Sequence, residues 1–161
     1  MSDSPAKKDL NLRITGGRPL SGTVTTSTSK NGAVGLLCAS ILNRGTTTLR
    51  NVPKIEEVNR ITEVMTSLGF ALAWQESDLT ITPPGTIDLQ RLDADAASRT
   101  RTIIMFIGPL LRHFNNFTLP QTGGCQLGRR TVMPHFYALE DLGVTVHSDE
   151  RGLHASYEAL Q

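Results

Sequence analysis

Apolar and polar positions alternate along this chain in patterns that predict a mixture of helices and strands. Over residues 55–68 the apolar side chains recur every three or four positions, with Glu56 and Glu57 on the solvent face, which is typical of an amphipathic helix. The run 33–42 is apolar and rich in alanine and leucine, so it predicts a buried helix. Two further helices are predicted over 95–112, where a Gly-Pro pair interrupts the pattern, and over 134–142.

Short segments with β-branched residues or strict apolar–polar alternation predict the strands. Such segments begin the chain, stand singly between the helices, and form two hairpins. They cover 10–14, 22–26, 46–51 and 116–120 as single strands, and 70–74 with 79–82 and 144–147 with 153–156 as hairpins.

The predicted elements occur twice in the same order: helix, strand, helix, hairpin. Gly69 in the first copy and Gly143 in the second each end a helix, and Leu49 and Leu119 are matched residues of the single strands. An internal repeat of this kind indicates stacked copies of one structural unit. We place the first copy at about 30–82 and the second at about 100–156, in an α+β fold made of α/β repeats. Residues 1–9 are expected to be a disordered lead-in.

Composition restricts the class of protein. The chain has 161 residues, 39% hydrophobic and 19% charged, which suits a globular domain with a real core. A net charge of +1 gives no reason to expect a nucleic-acid or membrane partner. The two cysteines form no disulfide framework, and Cys38 lies in an apolar run where a buried thiol is expected. With no signal-peptide pattern, we expect a cytoplasmic protein.

The stretch with the most evident chemistry is the glycine-rich segment around Cys125. Two glycines precede this cysteine, and Arg129 and Arg130 follow it closely. Neighbouring cations lower the pKa of a thiol and so favour the reactive thiolate, and arginine binds phosphate through paired hydrogen bonds. The segment therefore suggests chemistry on a phosphorylated substrate. The alternative interpretation is a simple turn that carries an inert thiol.

Two helix beginnings supply further candidate residues. Lys30 and Asn31 lie where a serine- and glycine-rich segment enters a helix, and exposed helix N–H groups bind anions. Arg99 and Arg101 lie near the equivalent helix of the second copy, so the repeat predicts that these two helix beginnings are neighbours. The alternative is that Lys30 and Arg99 are solvated surface charges. The four histidines lack the spacing of metal ligands, so no metal and no cofactor are predicted.

Three motifs together resemble the UDP-N-acetylglucosamine enolpyruvyl transferase family. They are Ser29-Lys30-Asn31-Gly32-Ala33, Arg101 followed by Gly108-Pro109-Leu110, and Gly123-Gly124-Cys125-Gln126-Leu127-Gly128-Arg129-Arg130. The resemblance covers about residues 10–156. It implies an inside-out α/β barrel-type domain built of βαβαββ units, of which two are present, so that residues 10–161 would form a partial domain from the N-terminal part of such an enzyme.

The resemblance also implies a reaction and a site. The family transfers the enolpyruvyl group of phosphoenolpyruvate to the 3-hydroxyl of UDP-N-acetylglucosamine, the first committed step of peptidoglycan synthesis. Cys125 would donate a proton to the methylene carbon, and fosfomycin, an epoxide mimic of phosphoenolpyruvate in this family, would label it slowly at best in this chain. The implied substrate-binding residues are Lys30, Asn31, Arg101, Arg130, Thr131, Val132, Met133 and Pro134.

Two departures from the family pattern stand beside this match. The segment before Cys125 is longer than usual, and Thr131 replaces a common proline. The family's catalytic aspartate would lie beyond Gln161, so we expect a fragment with about half of an active site that is inactive alone. The alternative is a non-catalytic module that binds a nucleotide sugar or pairs with itself. Self-association, or a second chain that completes the domain, is expected in either case.

Overall fold

The computed structural model describes residues 13–121 and 132–158. Five α-helices, six strands and two 3₁₀ helices follow one another within these ranges. The helices are α1 (Lys30–Ser40), α2 (Glu56–Ser67), α3 (Ala94–Ser98), α4 (Ile107–Leu111) and α5 (Met133–Glu140), with 3₁₀ helices at Leu89–Arg91 and Arg101–Phe106. The strands are β1 (Thr47–Leu49), β2 (Ala71–Gln75), β3 (Asp78–Thr82), β4 (Asn116–Leu119), β5 (Thr145–Asp149) and β6 (Gly152–Ser156).

The strands form two antiparallel sheets with the same topology. The first sheet has the order β1-β3-β2 and the second has the order β4-β6-β5, so the last strand of each unit lies in the centre. In the first sheet Leu49 pairs with Leu79, and in the second Leu119 pairs with Leu153. The matching registers put equivalent apolar side chains toward the core, as the repeat in the sequence predicts.

One continuous core joins the two units. The buried apolar side chains of α1 and α2 belong to the same cluster as those of the second 3₁₀ helix, α4 and the second sheet. Helix α1 contacts both α2 and the 3₁₀ helix Arg101–Phe106. The largest fully buried side chains are Phe106, Leu37, Ile41, Ile61, Met65, Leu68, Leu79, Ile81, Ile103, Ile107, Leu110 and Leu119. The described helices are all too short or too polar to cross a lipid bilayer.

The strand predicted over 22–26 is wrong. Residues 13–28 form no strand and are exposed throughout, while residues 10–12 of the other predicted strand lie outside the described ranges. β-branched residues favour a strand only where a neighbouring strand supplies hydrogen bonds and a packing surface. Each unit within the described residues is therefore αβαββ, without the leading strand that the resemblance implies.

The long helix predicted over 95–112 is also wrong, because three shorter helices occupy this region. Thr100 has an extended backbone, with φ of −125° and ψ of 129°, and its side-chain oxygen accepts a hydrogen bond from the N–H of Thr102. This local bond ends one helical segment and begins the next. The Gly-Pro pair does not interrupt helix α4, since Pro109 lies in its first turn, where no backbone N–H is required.

The second hairpin is longer than predicted, and its turn is closely held. Asp149 Oδ1 accepts hydrogen bonds from the N–H groups of Arg151 (2.8 Å) and Gly152 (3.2 Å). Gly152 has a φ of +142°, and a Cβ at this position would lie 2.2 Å from the carbonyl oxygen of Leu119. Only glycine allows β4 and β6 to approach in this way.

Candidate functional site

A cleft of about 740 Å³, lined by both charged and apolar side chains, lies where the two units meet. Its walls come from the beginning of α1, the first turn of α2, the second 3₁₀ helix and the beginning of α5. The lining residues are Lys30, Asn31, Val34, Glu57, Arg101, Thr102, Ile104, Met105, Val132 and His135. The expectation that the two helix beginnings are neighbours is thereby confirmed.

One wall of the cleft is the amino end of α1. Ser29 caps this helix, because its Oγ accepts a hydrogen bond from the N–H of Gly32 at 3.1 Å. The helix begins at Lys30 with no acidic residue in its own first turn, so the positive end of its dipole is not cancelled within the helix. Lys30 and Asn31 therefore lie at a position that suits an anion.

The opposite wall is built from equivalent positions of the second unit. Asn31 corresponds to Arg101 and Val34 to Ile104, at the same offset that relates Leu49 to Leu119, and all four line the cleft. Equivalent positions of the two units thus contribute to the same cleft. Arg101 is half-buried at the start of its 3₁₀ helix and adds a second cation to the site.

Glu57 joins the two walls. Its Oε2 lies 2.9 Å from the Lys30 Nζ, and its Oε1 accepts hydrogen bonds from the hydroxyls of Thr100, at 2.7 Å, and Thr102. Thr100 is buried, whereas the Lys30 side chain is 54% exposed. One carboxylate from the first unit therefore receives donors from both units and holds the lysine at the edge of the cleft.

These contacts fix the charge of Glu57. Partial burial alone would raise its pKa, but hydrogen bonds from Thr102, Thr100 and Lys30, together with the lysine charge, lower the pKa below its ordinary value. The carboxylate is therefore ionised at neutral pH, and the cleft combines two cations with one anion. Sequence analysis placed Glu57 on the solvent face of its helix, which is wrong. The only signal in the sequence is its position in a helical first turn.

The structure brings together four of the predicted binding residues: Lys30, Asn31, Arg101 and Val132 line the cleft. Met133 and Pro134 begin α5 and are exposed, but they do not line it. The predicted residues Cys125, Arg130 and Thr131 lie outside the described ranges.

The structure also places the candidate Arg99 and the buried thiol of Cys38. Arg99 makes a two-point contact with Asp95, at 2.8 and 3.2 Å, and does not line the cleft. Cys38 is buried in α1, and desolvation raises its pKa to about 12. Its thiol is therefore protonated and unreactive at neutral pH.

Comparison with known proteins identifies the class of protein to which this chain belongs. Residues 14–159 match the model of the EPSP synthase (3-phosphoshikimate 1-carboxyvinyltransferase) family, so the chain belongs to this family of enzymes. Among solved structures, the enolpyruvyl transferase NikO from Streptomyces tendae superposes with a TM-score of 0.71 at 20% identity, over 91% of this chain and 32% of that one. EPSP synthase from Acinetobacter baumannii gives 0.60 at 14% identity, over 87% and 33%. These two likenesses establish the fold.

The similar curated sequences are enzymes named UDP-N-acetylglucosamine 1-carboxyvinyltransferase. The UDP-N-acetylglucosamine 1-carboxyvinyltransferase of Sorangium cellulosum is 36% identical over 137 residues, which is 84% of this chain and 32% of the relative. That of Acinetobacter baylyi is 34% identical over 145 residues, 90% of this chain and 34% of the relative. The chain thus spans about a third of the length of the relatives it matches.

Proposed function

We propose that this chain forms the part of an enolpyruvyl-transferase site that binds phosphoenolpyruvate and UDP-N-acetylglucosamine, in peptidoglycan synthesis. One observation carries the proposal: the neighbouring residues Lys30 and Asn31 line one cleft together with Arg101, which lies far along the chain. The names of the similar enzymes from Sorangium cellulosum and Acinetobacter baylyi supply the substrate pair.

Each residue of the site has a proposed role. Lys30 and the amino end of α1 bind the phosphoenolpyruvate anion, Asn31 lies between the two substrates, and Arg101 contacts the nucleotide sugar. Arg130 holds phosphate, and residues 131–134 lie along the nucleotide. Fixed cations of this kind stabilise a multiply charged substrate because they need no reorganisation when it binds.

The proposed reaction balances in two steps. The 3-hydroxyl oxygen of the sugar bonds to C2 of phosphoenolpyruvate while Cys125 delivers a proton to C3, and the hydroxyl proton passes to a base. The C2–O bond to phosphate then breaks, C3 returns a proton to the Cys125 thiolate, and the enol ether and inorganic phosphate are released. Glu57 is a poor base for the first step because its lowered pKa means a weak affinity for a proton and its oxygens are engaged with three donors. We therefore expect the chain on its own to bind ligand without turnover.

Ligand titration tests the binding part of the proposal. We expect UDP-N-acetylglucosamine to bind to the full chain in a calorimeter, and Arg101→Ala to weaken binding on the order of tenfold, the effect of one lost charge-assisted hydrogen bond. Arg99→Ala is the matched control, since Arg99 contacts Asp95 away from the cleft. Equal weakening by both variants, or no saturable binding, would refute the proposed cleft.

Selective labelling tests the role of Cys125. An electrophile of moderate reactivity at neutral pH should modify Cys125 far faster than Cys38, which is buried and protonated. Cys38 is thus an internal control in the same sample, and peptide mass mapping measures both rates. Arg130→Ala should slow the labelling of Cys125. We expect fosfomycin to react slowly at best. Equal rates at the two cysteines would contradict the assignment of Cys125.

A second candidate function rests on the exposed lead segment, residues 13–28. Its apolar side chains Ile14, Leu20 and Val24 are 87%, 98% and 88% exposed. Apolar surface of this kind commonly forms an interface, which favours a module that associates with a second copy of itself. Sedimentation should show a concentration-dependent dimer that Leu20→Ser and Val24→Ser together abolish. A monomer at all concentrations would exclude this alternative.

A further inference from the structure

A row of polar side chains crosses the outer face of the second sheet. Thr118 of β4 pairs with His154 of β6, and His154 pairs in turn with His147 of β5. The two imidazole rings are stacked, with centroids 4.7 Å apart. Asp149 lies two residues beyond His147 on the same strand, so its side chain shares their face of the sheet.

These side chains form a small set of convergent ligand atoms. His154 Nε2 lies 2.8 Å from Asp149 Oδ1, and one ligand atom from each of His147, Asp149 and His154 lies within 4.8 Å of the others. Tetrahedral zinc, bound at about 2.1 Å, separates its nitrogen and oxygen ligands by roughly 3.4 Å. His147 is exposed, so its side chain has room to rotate toward this distance.

We propose that His147, Asp149 and His154 bind one transition-metal dication of the zinc class, because the β5–β6 hairpin places two imidazoles and a carboxylate side by side. Two neutral imidazoles and one carboxylate suit zinc better than the hard cations magnesium and calcium, which prefer oxygen ligands alone. The fourth position of such a site is left to water.

The surroundings hold two of the three ligands in place. His154 Nδ1 lies 2.9 Å from the Thr118 hydroxyl, so the ring donates its Nδ1–H to that oxygen when Nε2 binds the metal. The hydrogen bond with His154, followed by those from the N–H groups of Arg151 and Gly152, holds the pKa of the Asp149 carboxyl below its ordinary value. The two turn N–H groups bond to Oδ1 of Asp149, which leaves Oδ2 for the ion, and the ion would replace the present hydrogen bond between His154 Nε2 and Oδ1.

A bound ion would fasten together the strands of the second sheet. The two histidines come from β5 and β6, and Thr118 adds β4 through its hydrogen bond to His154. Because the ion requires the folded hairpin, its binding would stabilise the native state as its concentration rises above the dissociation constant. The site lies outside the cleft, so this inference does not depend on the proposed catalytic function.

Calorimetric titration of the full chain with zinc chloride tests the proposal. The parent carries Cys125→Ser, so that this thiol does not bind zinc, and any affinity tag is removed. We expect one zinc ion per chain and a rise in the melting temperature, with no heat from magnesium. His147→Ala and Asp149→Asn should each weaken zinc binding by about tenfold or more. The asparagine retains the oxygen that accepts the two turn N–H groups, so this variant keeps the turn.

His135→Gln is the matched control, because it removes one histidine that lines the cleft instead. Its affinity for zinc should equal that of the parent. Histidine side-chain NMR adds a direct measurement, in which His147 and His154 shift on zinc addition while His113 and His135 do not. Absence of saturable binding, unchanged affinity in the His147 and Asp149 variants, or an equal loss with His135→Gln would each overturn the site.

Discussion

The two units share one topology but differ where each enters the cleft. The first unit enters it with α1, a regular helix of 11 residues that Ser29 caps. The second enters it with a 3₁₀ helix of six residues, capped by Thr100, before α4 continues. The hairpins differ as well, since the first turn places Asp78 where the second has Gly152.

The parts that the two units share form the packed scaffold, and the parts in which they differ form the site. Equivalent apolar residues, such as Leu49 and Leu119, keep equivalent places in the two sheets, whereas the helix beginnings have diverged. The tighter 3₁₀ turn places Arg101 and Thr102 at the cleft and allows the hydroxyls of Thr100 and Thr102 to reach Glu57. The duplicated fold supplies the packing, and local departures from the repeat supply the polar groups.

The largest effects should come from the core that both units share. Leu37→Ala in α1 and Ile107→Ala in α4 each remove a fully buried side chain and should lower the free energy of unfolding by about 2–5 kcal/mol. Urea denaturation measures both. Leu36→Ala, at a position 57% exposed, is the control with little expected effect. If either variant lowers the free energy of unfolding by less than about 1 kcal/mol, the two helices do not contribute equivalently to the core.

The turn of the second hairpin should be nearly as sensitive. Gly152→Ala places a Cβ against the Leu119 carbonyl oxygen and strains a positive φ, so we expect a loss of roughly 3 kcal/mol. Gly35→Ala is the control, since its Cβ meets no atom within 4 Å and alanine favours a helix. Thermal and urea unfolding should show that Gly152→Ala lowers the stability while Gly35→Ala raises it. A neutral Gly152→Ala would mean that β4 and β6 separate easily.

Glu57→Gln should weaken the contact between the units by about 1–3 kcal/mol at neutral pH, because three donors lose a charged acceptor. The folded-state pKa of Glu57 is lowered, so its contribution is fully present above the ordinary glutamate pKa and is lost as the pH falls through the folded value. The stability difference between parent and variant should therefore shrink in acid. Glu56→Gln, at an exposed position of the same turn, is the control. A difference that stays constant through this pH range would contradict the assignment.

The smallest effects concern two surface positions, Ser29 and Arg99, which are equivalent in the two copies. Ser29→Ala removes the cap of α1 and should lower stability by about 1 kcal/mol. Arg99→Ala removes an exposed ion pair with Asp95 and should lower it by about 0.5 kcal/mol or less. Melting curves of the two variants compare these losses of stability. A larger loss for Arg99→Ala than for Ser29→Ala would contradict the expected order.

Much of the fold could be predicted because local patterns and tertiary packing agree. The helical spacing over 55–68 and the glycine at position 69, with its φ of +100°, bound α2 within one residue. The pattern fails where a side chain acts on the backbone, as at Thr100, whose hydroxyl begins a new helix within an unbroken apolar period. It fails again over 22–26, where β-branched residues meet no neighbouring strand in the described part of the chain.

The site was predictable only in part, and for a similar reason. The resemblance identified Lys30, Asn31 and Arg101, and the repeat placed their helix beginnings together. Glu57 could not be recognised, because a glutamate in a helical first turn is usually solvated. Its partners Thr100 and Thr102 belong to the other unit, far along the chain. The histidine pair was missed because His147 and His154 lack the spacing of metal ligands along the chain, and only the pairing of β5 with β6 places them side by side.

The Glu57 contact has a consequence for how this duplicated chain can evolve. Lys30 and Thr100 occupy equivalent positions in the two copies, yet both bind the same carboxylate of the first copy. At the offset that relates Gly69 to Gly143, the counterpart of Glu57 is Thr131, which has no carboxylate. The copies are therefore no longer interchangeable. Deleting either copy would leave Glu57 without its hydroxyl partners or remove Glu57 altogether, so this contact requires both copies.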